Sequence, residues 1–167
     1  INLLYIGYFS DQFELEPLLK FAADNDSEIK FDLIGSGEKL ALYRERYSSC
    51  NNIIFHGGID PIELVDRVEL LNPDFGLIPL RPGAGARMPN KLFDYIALCI
   101  PVVSFNSADA ADFLEKYHFG LSFDFADIGT RDFLESLKTF EAGYCRDSLR
   151  EHRDKMSMNA LYKDLWS

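Results

Sequence analysis

The stretch DFGLIPLRPGAGARMPNKLFDYIALCIPVVSF, from Asp74 to Phe105, contains a complete folding unit. Residues 75–79 and 101–105 are short apolar runs without polar alternation, as expected of strands buried on both faces. Between them Leu92, Phe93, Ile96 and Ala97 recur at helical spacing. Strand, helix and strand in that order read as a crossover between two parallel strands. The connection ahead of the helix is unusual for an acidic chain. It gathers Arg81, Arg87 and Lys91 around Gly83 and Gly85, and Pro89 or Asn90 then opens the helix.

The same alternation extends in both directions. Further strands are expected at residues 2–7, 29–34, 52–55 and 121–123. Leu15, Leu18, Leu19 and Ala22 mark a first helix, and residues 39–47 a weaker second. Asp60-Pro61-Ile62-Glu63 carries a capping Asp, a Pro at the first helical position and a Glu to complete a capping box. Residues 110–117 form a fifth helix; Phe133, Leu137 and Phe140 mark a sixth, and residues 156–166 a terminal one. The pattern predicts an α/β fold, a Rossmann-like doubly wound and mostly parallel sheet of about six strands with helices on both faces. Ligands in such sheets sit beyond the carboxyl ends of the strands, so the loops after Ile6, Ile34, Phe55, Pro79 and Phe105 are the ones to inspect.

The 167 residues suit one domain. Its apolar fraction of 47% and charged fraction of 26% are those of a globular chain rather than a disordered one. A formal charge of −10 disfavours nucleic acid and anionic membrane as partners of the whole surface. Cys50, Cys99 and Cys145 are odd in number and widely spaced, which predicts free thiols in a reducing compartment. No apolar run reaches membrane-spanning length, and a cytoplasmic protein is expected. The chain opens at once on a strand, as a piece of something longer would.

Gly35-Ser36-Gly37 follows the second strand, but a dinucleotide fingerprint would need Gly or Ala at position 40, which is Leu40. The glycines mark either a tight strand-to-helix turn or a ligand contact. At Phe55-His56-Gly57-Gly58-Ile59 the turn reading prevails, since His56 has no second metal ligand at usable spacing. The loop from Arg81 to Asp94 differs. Free amides at a helix start, its dipole, Arg87 and Lys91 can together hold a phosphate. Asp94 lies one turn past Lys91, where a carboxylate can bind a diol such as ribose or simply pair with the lysine. No nucleophile triad, metal cluster or carboxylate pair for acid–base work stands out.

Pro89-Asn90-Lys91-Leu92-Phe93-Asp94-Tyr95-Ile96-Ala97, followed by Cys99-Ile100-Pro101-Val102-Val103, resembles the P-x-K-x-x-E-Y-x-A-x-G-x-P-V-V signature of retaining glycosyltransferases of the GT-B fold, the family-four or group-one type. Leu33-Ile34-Gly35-Ser36-Gly37, Phe55-His56-Gly57-Gly58-Ile59 and Asp74-Phe75-Gly76-Leu77-Ile78-Pro79 fall in the family's order, and the resemblance runs from Asn2 to about Phe125.

The resemblance implies that residues 1–167 are the C-terminal, nucleotide-sugar donor-binding domain of a longer enzyme whose N-terminal acceptor domain is missing, and that any peripheral membrane contact falls to that missing half. It implies Asp94 at the ribose, Lys91 and Arg87 at the donor phosphates, and Gly58 and Ile59 at the base, with Gly35 and Gly37 nearby and Asn90 among the donor-binding residues. It implies a nucleotide-diphospho-sugar as substrate, no cofactor and no obligatory metal. The sequence departs from the pattern at Ala86, where the first carboxylate of the family's E-x7-E element would stand, and after Gly7, where the family's basic pair is missing. Cys99 replaces the usual Gly. These departures keep a non-catalytic nucleotide-binding module open as a second reading. A nicotinamide-dependent oxidoreductase, suggested by Gly35-Ser36-Gly37, is a third.

Overall fold

A computed structural model describes residues 1–83, 88–143 and 150–151. The expected residues 156–166 helix, Arg87 and Cys145 lie outside that set. Within it the chain alternates strand and helix: β1 (Asn2–Tyr8), α1 (Glu16–Asp24), β2 (Lys30–Ser36), α2 (Leu40–Arg46), β3 (Ile53–Gly57), α3 (Pro61–Leu71), β4 (Phe75–Pro79), α4 (Asn90–Ala97), β5 (Val102–Phe105), α5 (Ala108–Tyr117), β6 (Gly120–Phe123) and α6 (Arg131–Gly143). All strand pairs are parallel, in the order β3-β2-β1-β4-β5-β6. The doubly wound sheet expected from the sequence is present, and its winding direction reverses between β1 and β4.

Two apolar clusters cover the two faces. One packs α1 and α6 with Leu3, Tyr5, Phe31, Leu33, Phe75, Leu77 and Phe105. The other packs α4 and α5 with Leu4, Ile34, Ile78 and Val102. Successive strand residues alternate between the clusters because side chains alternate across a strand.

Helix ends follow local chemistry. Asp60 caps α3 by accepting from the Ile62 N–H at 2.9 Å, without the reciprocal Glu63 bond of a capping box. Ser107 caps α5 through the Ala110 N–H at 3.3 Å. The end of α4 is a Schellman turn: the Ile100 N–H donates to Tyr95 O and the Cys99 N–H to Ile96 O, both at 2.9 Å. Cys99 therefore adopts φ +54°, the backbone angle that glycine takes without strain. Cys50 and Cys99 are both free thiols.

Candidate functional site

At the reversal point the sheet opens. β1 and β4 pair only at Leu3↔Phe75 and Leu4↔Gly76, although both strands run on toward their carboxyl ends. The phenol of Tyr95, from α4, fills the gap. Its oxygen accepts from the Ile6 N–H at 3.0 Å and faces the carbonyls of Leu77 at 3.2 Å and Leu4 at 3.3 Å. The ring lies against Gly76, where a Cβ would overlap it. Burial pushes the Tyr95 hydroxyl well above the usual tyrosine range, so it stays a neutral donor. One side chain thus replaces strand-to-strand bonds and pins α4 to both central strands.

Lys91 stands one turn before Tyr95 and is aimed by the same anchorage. Its Nζ lies 3.2 Å from Tyr5 Oη, 4.7 Å from the Tyr5 ring centroid and 3.4 Å from the Phe13 centroid. Beside it is Gly7, near the carboxyl end of β1, with no room for a Cβ. Removal from water lowers the Lys91 pKa to about 8, against a smaller opposing pull from Asp94. Asp94 itself is exposed, and among the described residues no ion pair joins the two. Lys91 is therefore not half of a surface pair. Asn90 opens α4 behind Pro89, and among the described residues no side chain caps that helix start, unlike those of α3 and α5 on the same face.

Two loops frame this corner. The segment after β1 lies antiparallel along the end of β4: Phe13 bridges Leu80, the Glu14 N–H donates to Pro79 O at 2.8 Å, and the Arg81 N–H donates to Gln12 O at 3.0 Å. From the other side Asn106 Nδ2 donates to Leu80 O at 3.0 Å. The entry to the Arg81–Pro89 connection is thereby fixed. Ala86 and Arg87 lie outside the described residues.

Gly35 and Ser36 are the last residues of β2 rather than a free turn. Gly35 lies opposite Gly7 in the sheet, with the Gly7 carbonyl where a Cβ would stand. Gly37 meets the backbone of Phe9 in the same way, and the Phe9 N–H donates to Ser36 O at 2.8 Å. Close backbone packing accounts for both glycines. Gly58 and Ile59 follow β3, two strand spacings from β1, or roughly 10 Å away. Gly58 is exposed with open space around it.

β3 runs two residues further than its apolar pattern suggests. His56 is skipped in the register, since Leu33 faces Phe55 and Ile34 faces Gly57. Its Nε2 sits 2.7 Å from Oδ1 of Asp32, which is only 1% exposed, while Lys30 Nζ lies 2.8 Å from Oδ2. The His56 segment is thus strand with a buried polar anchor, not a turn.

Lys91 and Gly35 both meet Gly7, while Gly37 packs on Phe9. Asn90 and Asp94 are exposed on α4 on either side of Lys91 in sequence, and among the described residues the structure shows no contact between them and Gly7. Sequence reasoning missed Tyr5, Phe13 and Tyr95 as parts of the site. Tyr95 stood in the quoted signature; Phe13 carried no signal beyond its place after the first strand. Among the described residues no group of acidic, His and Cys side chains could hold a metal ion, and no helix is long and apolar enough to cross a membrane. A hollow of about 600 Å³ opens at the opposite, amino edge beside Asn2, Glu28, Lys30 and Asn52. It lies away from the carboxyl edge where such sheets bind ligands.

Neither a family model nor a curated protein matches the sequence. Solved structures do match the fold. The lipopolysaccharide outer core galactosyltransferase WaaB, in its apo form, superposes with a TM-score of 0.71 at 18% identity, over 98% of this chain and 49% of that one. HepE from Anabaena in complex with UDP gives 0.65 at 13% identity, over 92% and 44%. The catalytic domain of cholesterol-α-glucosyltransferase from Helicobacter pylori gives 0.64 at 13%, over 97% and 98%. The chain spans about half the length of WaaB and less of HepE. Its fold is that of one Rossmann-like half of the GT-B glycosyltransferases.

Proposed function

We propose that this chain is the donor-binding half of a retaining glycosyltransferase, taking a nucleotide-diphospho-sugar and passing its sugar to an acceptor hydroxyl, with bacterial surface polysaccharide as the acceptor class. The observation that carries the reading is the ammonium of Lys91 beside Gly7, at the reversal point of the sheet and next to an α4 start that no side chain caps among the described residues. A diphosphate is the ligand such a corner suits: free amides and the helix dipole meet its oxygens, and the lysine supplies direct charge. UDP in the solved complex of the similarly folded HepE supports the same ligand class. Asp94, exposed one turn along α4 from Lys91, would take the ribose diol, and Ile59 with Gly58, which has open space around it, would seat the base. Catalysis in this half consists of orienting the donor and stabilising the departing diphosphate.

The β1–α1 loop favours a second reading. It offers Asp11 and Glu14 but no basic side chain, and Asp11 is tied to Lys39 at 2.5 Å. A nucleotide-binding module that transfers nothing would need no more than this. The oxidoreductase reading draws no support from Gly35 and Gly37, whose Cβ space is filled by the backbone of Gly7 and Phe9.

Backbone-amide NMR titration with UDP, GDP, ADP and NADH at millimolar concentration tests the ligand class. Shifts at Gly58, Lys91 and Asp94 with one diphosphate are expected. A response to NADH alone would overturn the proposal. Turnover by a full-length protein separates transferase from module.

A further inference from the structure

The ammonium of Lys91 is held by aromatic rings rather than by a carboxylate. The sequence has 27 acidic residues against 17 lysines and arginines, yet among the described residues Lys91 takes none of them as an ion-pair partner. It rests on two rings instead. Phe13 presents its face at 3.4 Å and Tyr5 at 4.7 Å, and the rings meet edge to face with centroids 6.0 Å apart. Tyr5 Oη donates to Tyr8 O at 2.9 Å, so its lone pair is free to accept from Lys91 Nζ. A ring attracts a cation without cancelling its charge. A carboxylate in the same place would pair with the lysine and compete with any incoming anion.

We propose that Phe13 is a positioning residue, whose ring, with Tyr5 behind it, seats Lys91 at the carboxyl end of β1 with its full charge available to a diphosphate. The seat draws on three elements: Tyr5 from β1, Phe13 from the loop latched onto β4 through Leu80, and Lys91 from α4. Gly7 completes it, because any side chain there would occupy the space of the ammonium. The proposal rests on the donor-binding reading for its purpose, and on ring geometry alone for its existence. Among the described residues the titratable groups acting on Lys91 are the Tyr5 hydroxyl from β1 and Asp94 from its own helix.

The test compares the unaltered chain with Phe13→Leu and Phe13→Tyr. NMR follows the ε-methylene shift and titration of Lys91 without ligand, and the dissociation constant of UDP is measured from pH 6 to 10. In the unaltered chain the methylene is shifted upfield by the ring face, and UDP affinity falls roughly tenfold per pH unit above the Lys91 midpoint. Phe13→Leu removes most of the upfield shift, leaving the smaller part due to Tyr5, moves the UDP profile together with the lysine midpoint, and weakens UDP at pH 7 by roughly three- to tenfold. Phe13→Tyr, which keeps the ring, restores both readouts. An unchanged methylene shift and UDP profile in Phe13→Leu overturn the seat. A ring-shifted Lys91 with no UDP response at any pH removes the donor reading, and the role of the seat with it.

Discussion

Gly7 and Lys91 occupy one space: the position of a Cβ on Gly7 is filled by the Cε and Nζ of Lys91. The glycine is therefore part of the site although it contributes no side chain. Gly7→Ala is expected to push the lysine off Tyr5 and Phe13 into solvent. Its titration should return from about 8 toward the ordinary 10.5. Because the displaced atoms end a flexible side chain, the fold should survive. The backbone at φ +155° makes alanine cost about 1–3 kcal/mol. Lysine NMR on this variant checks it; a Lys91 midpoint still near 8 would mean that the ammonium is buried elsewhere.

Tyr95→Phe tests whether the hydroxyl between β1 and β4 maintains the opening there. The variant keeps the ring against Gly76 but leaves the Ile6 N–H without its 3.0 Å acceptor. An orphaned buried donor costs about 1–3 kcal/mol. Urea denaturation should show that loss, with hydrogen exchange accelerated at Ile6. Gly76→Ala attacks the same contact from the strand side and should cost about as much by overpacking. Wild-type exchange at Ile6 in Tyr95→Phe would show that the phenol is no bridge.

The order of elements was legible because each strand run is apolar and each helix has helical spacing, so the Asp74–Phe105 unit alone indicated a parallel crossover. The limits of β2 and β3 were not. Gly35, Ser36, His56 and Gly57 look like turn residues, and they extend strands because tertiary packing calls for them there: Gly35 admits the Gly7 carbonyl, and His56 reaches Asp32. Lys91 was legible from the loop chemistry around it. Its aromatic seat was not, since Tyr5 and Phe13 lie 86 residues and more than 70 residues away in sequence, and no local pattern links them to α4.

The buried Asp32 gives a prediction independent of the candidate site. Its carboxylate has His56 on one oxygen and Lys30 on the other, and Lys30 also reaches solvent. His56→Leu removes the buried partner and leaves Oδ1 facing an apolar group. The expected cost is about 3 kcal/mol, at the upper end for an unsatisfied buried group because this one is charged. The double variant Asp32→Leu/His56→Leu should recover much of it, as both polar groups are then gone. Denaturation of the single and double variants decides the matter, and equal losses in both would show that the pair, rather than the orphaned charge, carries the stability.

Lys91 should itself destabilise the fold at neutral pH. Its folded pKa of about 8 lies below the unfolded 10.5, so below pH 8 both states are protonated and the folded state bears the full cost of holding a desolvated ammonium. Between pH 8 and 10.5 the unfolded chain binds more protons, and stability contributed through this residue rises with pH. Tyr5, Tyr47 and Tyr95, whose pKa values are raised, act with the opposite sign only above pH 10. Lys91→Met is therefore expected to be more stable at pH 7 by roughly 1–3 kcal/mol, the full shift being reduced because solvent still reaches the ammonium. The advantage should shrink steadily toward pH 10, while diphosphate binding is lost at every pH. Urea midpoints at pH 7, 8, 9 and 10 measure this directly. A Lys91→Met chain less stable at pH 7 would show that ring attraction outweighs desolvation, and the lysine would then be a structural element rather than a charge held in reserve for a ligand.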